Sequence, residues 1–119
     1  MANEKAVLFI GANKPIVGRD QDAINLWIET PSWLDRQMRA NWFQRFDGIW
    51  LTAHGGTMNS AWMCYGERAR MDEWRRSDEF EAWIFRAQMC LEDLCVCPGV
   101  TQEGIRDAMD RRKRALSAR

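Results

Sequence analysis

The chain contains one histidine (His54), one tyrosine (Tyr65) and three prolines. A single histidine leaves no basis for a histidine-rich metal centre. The four cysteines (Cys64, Cys90, Cys95 and Cys97) do not supply one either. Cys95-Val-Cys97 is spaced too closely for a zinc knuckle, and no second pair follows it. Four serines occur, none in a Gly-x-Ser-x-Gly elbow, and no Gly-x-Gly-x-x-Gly or phosphate-loop pattern is present. Glu92 and Asp93 are adjacent in sequence, so on a helix they would point apart and make poor acid–base partners. The formal net charge is zero, which removes the global basic field that nucleic acid would require. No apolar run approaches the roughly 18 residues of a membrane span, and positions 1–12 lack the usual signal-peptide pattern. We therefore expect a cytoplasmic protein with reduced thiols, no cofactor, no nucleic-acid partner and no membrane partner.

Tryptophan is abundant, with seven residues among 119. Hydrophobic residues make up 46% and charged residues 29%, an ordinary globular composition for one domain over residues 1–119. Seven indoles can line an aromatic pocket, or they can fill a small core and a subunit interface.

The segment from Phe46 to Glu67 reads as a hairpin. Ile49, Leu51 and Ala53 alternate with Trp50, Thr52 and His54. Ala61, Met63 and Tyr65 alternate with Trp62 and Cys64. The turn is Gly55-Gly56-Thr57-Met58-Asn59, where glycine can adopt positive φ. This places His54 at the lip of the hairpin.

Upstream, Ala6–Ala12 is a short apolar run that reads as a buried strand. After a loop marked by Pro15 and Gly18, a helix opens near Asp20, with Ile24, Trp27 and Ile28 as its apolar stripe. Thr30-Pro31 predicts a kink or a restart, with Thr30 as N-cap. Leu34, Met38 and Trp42 continue the apolar face. Downstream, Arg68–Arg76 reads as a short helix facing inward through Met71 and Trp74. Ser77 caps a further helix whose face is Phe80, Trp83, Ile84, Ala87 and Leu91. Leu94–Cys97 is a last strand, ended by Pro98-Gly99. Thr101 caps a terminal helix over about 101–117. Six basic and two acidic residues lie from Arg106 onward, which reads as a solvated, fraying tail.

This order fits an α+β fold: one antiparallel four-stranded sheet with helices on one face, the ferredoxin-like βαββαβ unit, plus an extra C-terminal helix. The other sheet face would then be apolar and exposed, with Trp50 or Trp62 on it. A patch of that size predicts a partner.

Over about residues 6–100 the chain resembles the dimeric α+β barrel superfamily, in which two such sheets close face to face. The resemblance rests on the element order, on His54-Gly55-Gly56-Thr57-Met58-Asn59, and on Trp74-Arg75-Arg76-Ser77-Asp78-Glu79-Phe80. These segments are similar to small uncharacterised bacterial proteins and, more loosely, to YCII-related proteins. In the latter a Gly-Gly-x-Met turn precedes a strand and a helix carries a short acidic-Phe element. The YCII-related histidine–aspartate pair does not transfer, because no histidine stands in the first helix. The resemblance implies a homodimer. The superfamily includes cofactor-free monooxygenases, polyketide-modifying enzymes, haem-degrading enzymes and ligand-sensing domains, with ligands held between sheet and helices.

For function, His54 is open to three readings: a general base at a pocket mouth, a haem ligand, or a residue that hydrogen-bonds the turn. Trp27, Trp50, Trp62, Trp83, Tyr65 and Asn59 are the ligand-binding candidates, the indoles as walls and Tyr65 and Asn59 as orienting groups. Two classes of function fit. One is a homodimer that binds a small, flat, largely apolar molecule between sheet and helices, with or without monooxygenase- or isomerase-type chemistry. The other is a structural or interaction module whose tryptophans only pack.

Overall fold

The computed structural model describes residues 5–118. Strand β1 (Ala6–Ala12) leads into helix α1 (Asp20–Arg39), followed by β2 (Arg45–Trp50) and β3 (Ser60–Gly66). Two helices, α2 (Arg68–Trp74) and α3 (Asp78–Gln88), then lead to β4 (Cys95–Val100) and α4 (Glu103–Ser117). The sheet order is β2-β3-β1-β4 and every pairing is antiparallel. This is the expected α+β, ferredoxin-like βαββαβ arrangement with an added C-terminal helix.

The register assigns each strand residue to a face. Leu8 lies opposite Cys64 and Pro98, and Ile10 opposite Trp62 and Val96. Phe46 lies opposite Cys64, Gly48 opposite Trp62 and Trp50 opposite Ser60. These residues form the face that carries the core, with Leu8, Ile10 and Cys64 buried. Val7, Phe9, Met63, Tyr65, Ile49, Cys95 and Cys97 share the other face. The expectation that Trp50 or Trp62 lies on the uncovered face is therefore corrected: both are on the helix side. Strand β2 starts at Arg45 and stops at Trp50, so the segment from Leu51 to Asn59 is a loop, and His54 lies within it.

Helix α1 also differs from the expected pattern. Its buried residues are Ala23, Leu26, Thr30, Trp33, Leu34 and Gln37. Ile24 and Ile28, expected to face inward, are exposed. The cause is the hydrogen-bonding demand of buried indoles. The Nε1–H of Trp74, wholly buried, donates to Gln37 Oε1 at 2.7 Å, and that of Trp83 donates to Thr30 Oγ1 at 3.2 Å. The Gln37 amide in turn donates to Glu79 Oε1 at 3.1 Å. Turning Thr30 and Gln37 inward rotates Ile24 and Ile28 outward. The helix also runs through Pro31 without a break. Thr30 does not act as an N-cap; its hydroxyl donates back to the Leu26 carbonyl at 2.6 Å.

The aromatic layer between α1 and the α2–α3 pair is continuous. Trp33 stacks on Trp83 at 5.3 Å and 8°, and on Trp74 at 5.8 Å and 29°. Phe80 meets Trp74 edge-on at 4.7 Å, and Phe43 packs against Trp74 at 4.8 Å. The expected inward faces of α2 and α3 are present, and the Ser77 hydroxyl accepts from Phe80 N–H at 3.2 Å as the N-cap of α3.

Two boundaries at the C-terminus shift. Strand β4 continues through Pro98 and Gly99 to Val100, which an edge strand tolerates because its outer side needs no donor. The terminal helix has Gln102 at its N-cap, with no side-chain cap bond, in place of Thr101. It is an exposed helix whose one buried residue is Gly104.

Trp83→Ala removes a buried ring and leaves Thr30 without its indole donor. We expect a loss of about 3–5 kcal/mol in urea unfolding. A loss below about 1 kcal/mol would show that the stack does not carry the core.

Candidate functional site

The structure distributes the seven predicted site residues over several places. His54 is exposed, and both ring nitrogens are engaged within its own loop. Nδ1 accepts from Gly56 N–H at 3.0 Å, and Nε2 lies 2.9 Å from the Met58 carbonyl. Nδ1 is thus the acceptor, and the proton sits on Nε2, which donates to Met58. Of its three readings, this geometry corresponds to the turn-bonding one. Gly55, at φ +82°, supplies the left-handed residue the loop needs.

Asn59 ties the end of that loop to the sheet. Its backbone N–H donates to the Ala12 carbonyl at 3.0 Å, and its carbonyl accepts from Leu51 N–H at 2.8 Å. Its side-chain amide donates to Asn13 Oδ1, and Asn13 donates to Asp93 Oδ2 at 2.9 Å. This chain of amides latches the β2–β3 loop to the segment before β4.

Tyr65 lies on the uncovered sheet face, beneath the Arg45 guanidinium at 3.9 Å, and Arg45 also pairs with Asp47 at 2.9 Å. Burial, with the Asp47 carboxylate adding to it, pushes the phenol above its ordinary range. Tyr65 is therefore a neutral donor at neutral pH, and its hydroxyl points at Met63 Sδ, 3.8 Å away. Trp62 lies flat over Gly48, where a Cβ would come within 2.4 Å of the ring, so only glycine admits that indole. Trp83 belongs to the core stack and touches solvent at a groove of about 300 Å³ between α1 and α3, whose rim carries the bidentate Arg86–Glu29 pair at 2.8 and 2.9 Å.

Trp27 and Trp50 are brought together. Their rings meet at 85° with centroids 4.5 Å apart, where α1 crosses the end of β2. They line a concavity of about 460 Å³ with Pro15, Asp20, Ile24 and Ile28. Trp50 is 66% exposed and Trp27 half-buried. The sequence offered Trp27 and Trp50 as separate candidates. It gave no sign that Ile24 and Ile28 join them, because those isoleucines read as core. The signal that would have found them is the need of buried tryptophans for Thr30 and Gln37 as acceptors.

Among the described residues, no group of three or more histidine, cysteine, aspartate or glutamate side chains could hold a metal ion, and no helix is long and apolar enough to cross a membrane.

The fold and its aromatic corner can be set beside known proteins. No protein-family profile matches the chain, and no curated protein matches it. Among solved structures, it is similar to a dimeric protein of unknown function and ferredoxin-like fold from Bacteroides fragilis NCTC 9343. The TM-score is 0.62 at 10% identity, covering 83% of this chain and 99% of that one. At that identity the likeness is one of fold.

His54→Ala should free the Gly56 amide without unfolding the protein. We expect hydrogen exchange at Gly56 to accelerate at least tenfold while the melting temperature changes by no more than a few degrees. Unchanged exchange would show that the ring does not hold the turn.

Proposed function

We propose that the protein is a single-domain homodimer of the α+β barrel type, built sheet face to sheet face, that binds a small, flat, largely apolar molecule at the Trp27–Trp50 corner. The observation that carries the binding reading is the corner itself. Trp33, Trp74 and Trp83 are committed to packing, whereas Trp27 and Trp50 form two perpendicular walls open to solvent. The corner lies at the seam between α1 and the helix side of β2, so its ligand would enter at the edge of the sheet–helix layer. No step of chemistry is assigned to His54, whose nitrogens are occupied by backbone.

The homodimer reading is supported by the sheet. On the sheet face opposite the core, Ile49 is exposed and Val7, Phe9, Met63 and Tyr65 are half-buried. Such a face favours a second copy of itself, since an isologous interface is self-complementary. The structural neighbour from Bacteroides fragilis is dimeric. Cys95 and Cys97 are exposed free thiols on the same face, which suits a reducing cytoplasm.

The exposed side chains Phe85 and Met89, at 62% each, favour a second reading, an interaction module that docks another protein through α3. Tryptophan fluorescence separates the two: ligand-dependent quenching that Trp50→Ala abolishes supports the binding reading, and its absence across a panel of flat aromatic compounds counts against it.

Sedimentation at micromolar concentration should give about twice the 13.9 kDa chain mass. Cys95 and Cys97 provide the local readout. Their reaction with a thiol reagent should slow as the protein is concentrated through its dimerisation range, while Cys64, whose thiol burial pushes far up, stays unreactive until unfolding. Met63→Arg should yield a folded monomer with both thiols fast. Concentration-independent labelling together with a monomer mass would exclude the sheet-face dimer.

A further inference from the structure

We infer that the Trp27–Trp50 corner is a recognition site for an organic cation, a methylated or quaternary ammonium carried on a small aromatic or apolar body. This rests on the binding reading above and names its ligand class. Three observations converge on it. The two indoles stand at 85° to one another, so a group seated in the angle between their planes is flanked by a face of each ring. The face of tryptophan is the most favourable aromatic surface for a cation. The sole charged side chain lining the concavity is the Asp20 carboxylate, which has no ion-pair partner among the described residues, since Arg19 is engaged by Asp22 at 3.0 Å. The remaining walls, Pro15, Ile24 and Ile28, are apolar.

The third observation comes from the other rings. The half-buried Trp42 and Tyr65 each have a guanidinium of this chain over them, Arg70 and Arg45, both at 3.9 Å. Trp27 and Trp50 have no such cover among the described residues, although Trp50 is the more exposed ring. Trp42 and Tyr65 thus meet cations of this chain, whereas the Trp27–Trp50 pair, with its carboxylate, is left open.

The chemistry selects the class of cation. A compact ammonium or sodium ion keeps its water and gains little from an apolar wall. A trimethylammonium group is weakly hydrated, packs its methyls against Ile24 and Ile28, and keeps its charge for the indole faces and Asp20. An anion would face the carboxylate and the negative ring faces together.

The test uses two molecules of the same shape, (3-hydroxyphenyl)trimethylammonium and 3-tert-butylphenol, titrated into the full chain by calorimetry. The indole N–H resonances of Trp27 and Trp50 locate the binding. We expect the cation to bind at least tenfold tighter than its neutral isostere, with both indole resonances shifting. Asp20→Asn should remove most of that preference, and Trp50→Ala should abolish binding with the fold intact by melting temperature. Equal or tighter binding of the neutral compound at the corner overturns the cation inference and leaves the apolar-ligand reading standing. Binding of neither compound, or of neither at these indoles, overturns both. If Trp50→Ala instead lowers the sedimentation mass, the corner is an interface between copies and the inference fails.

Discussion

Much of the structure depends on one constraint: an indole buried in the core must give its N–H to an acceptor. Trp74 and Trp83 come from different helices of the α2–α3 pair, and both reach across to α1, to Gln37 and Thr30. An unmet donor there would cost about 1–3 kcal/mol, comparable to the burial of a medium-sized apolar side chain. The two acceptors lie seven residues apart, about two turns, so they fix the rotation of α1 about its axis. Once that rotation is set, Trp33 falls between the two indoles and stacks on both. Leu26 and Leu34 enter the core, and the stripe of Ile24, Trp27 and Ile28 turns toward the end of β2. The aromatic corner is thus a geometric consequence of how the core satisfies its polar atoms.

This explains what could be read from the sequence. Strand β1, the α2 and α3 faces and the Ser77 cap were legible because local signals agree with the tertiary outcome: an apolar run, i to i+4 spacing, a hydroxyl three residues before the amide it accepts from. Helix α1 was misread because hydrophobicity counts Thr30 and Gln37 as polar and Ile24 and Ile28 as core. The acceptor need that reverses this comes from residues more than thirty positions away. Pro31 misled for a related reason. Its local preference is to start or bend a helix, yet packing on both sides holds α1 through it, and the Thr30 hydroxyl meets the Leu26 carbonyl.

The β2–β3 region shows another limit of sequence reading. Alternation of Trp50, Thr52 and His54 looks like a strand, but pairing with β3 ends where Trp50 meets Ser60. From there the loop is set by the amide chain from Asn59 through Asn13 to Asp93, none of which has a spacing signature. The candidate site was legible to the extent that Trp27 and Trp50 were named. Their meeting was not, because it depends on the rotation of α1 and on where β2 stops. The glycine motif that carried the resemblance has a plain physical role here: Gly55 for its positive φ and Gly56 for the amide that His54 holds.

Pro98 sits within β4, an outer strand of the sheet, opposite Leu8. At the opposite border, Arg45 and Asp47 put charge along β2. An incoming strand would find a missing donor on one side and ionic side chains on the other, two of the devices that keep sheets from growing sideways. The lateral route into fibres and runaway polymers is therefore obstructed at both margins, while the broad surface of the sheet remains open. The homodimer proposed above uses that remaining direction, which closes after two copies.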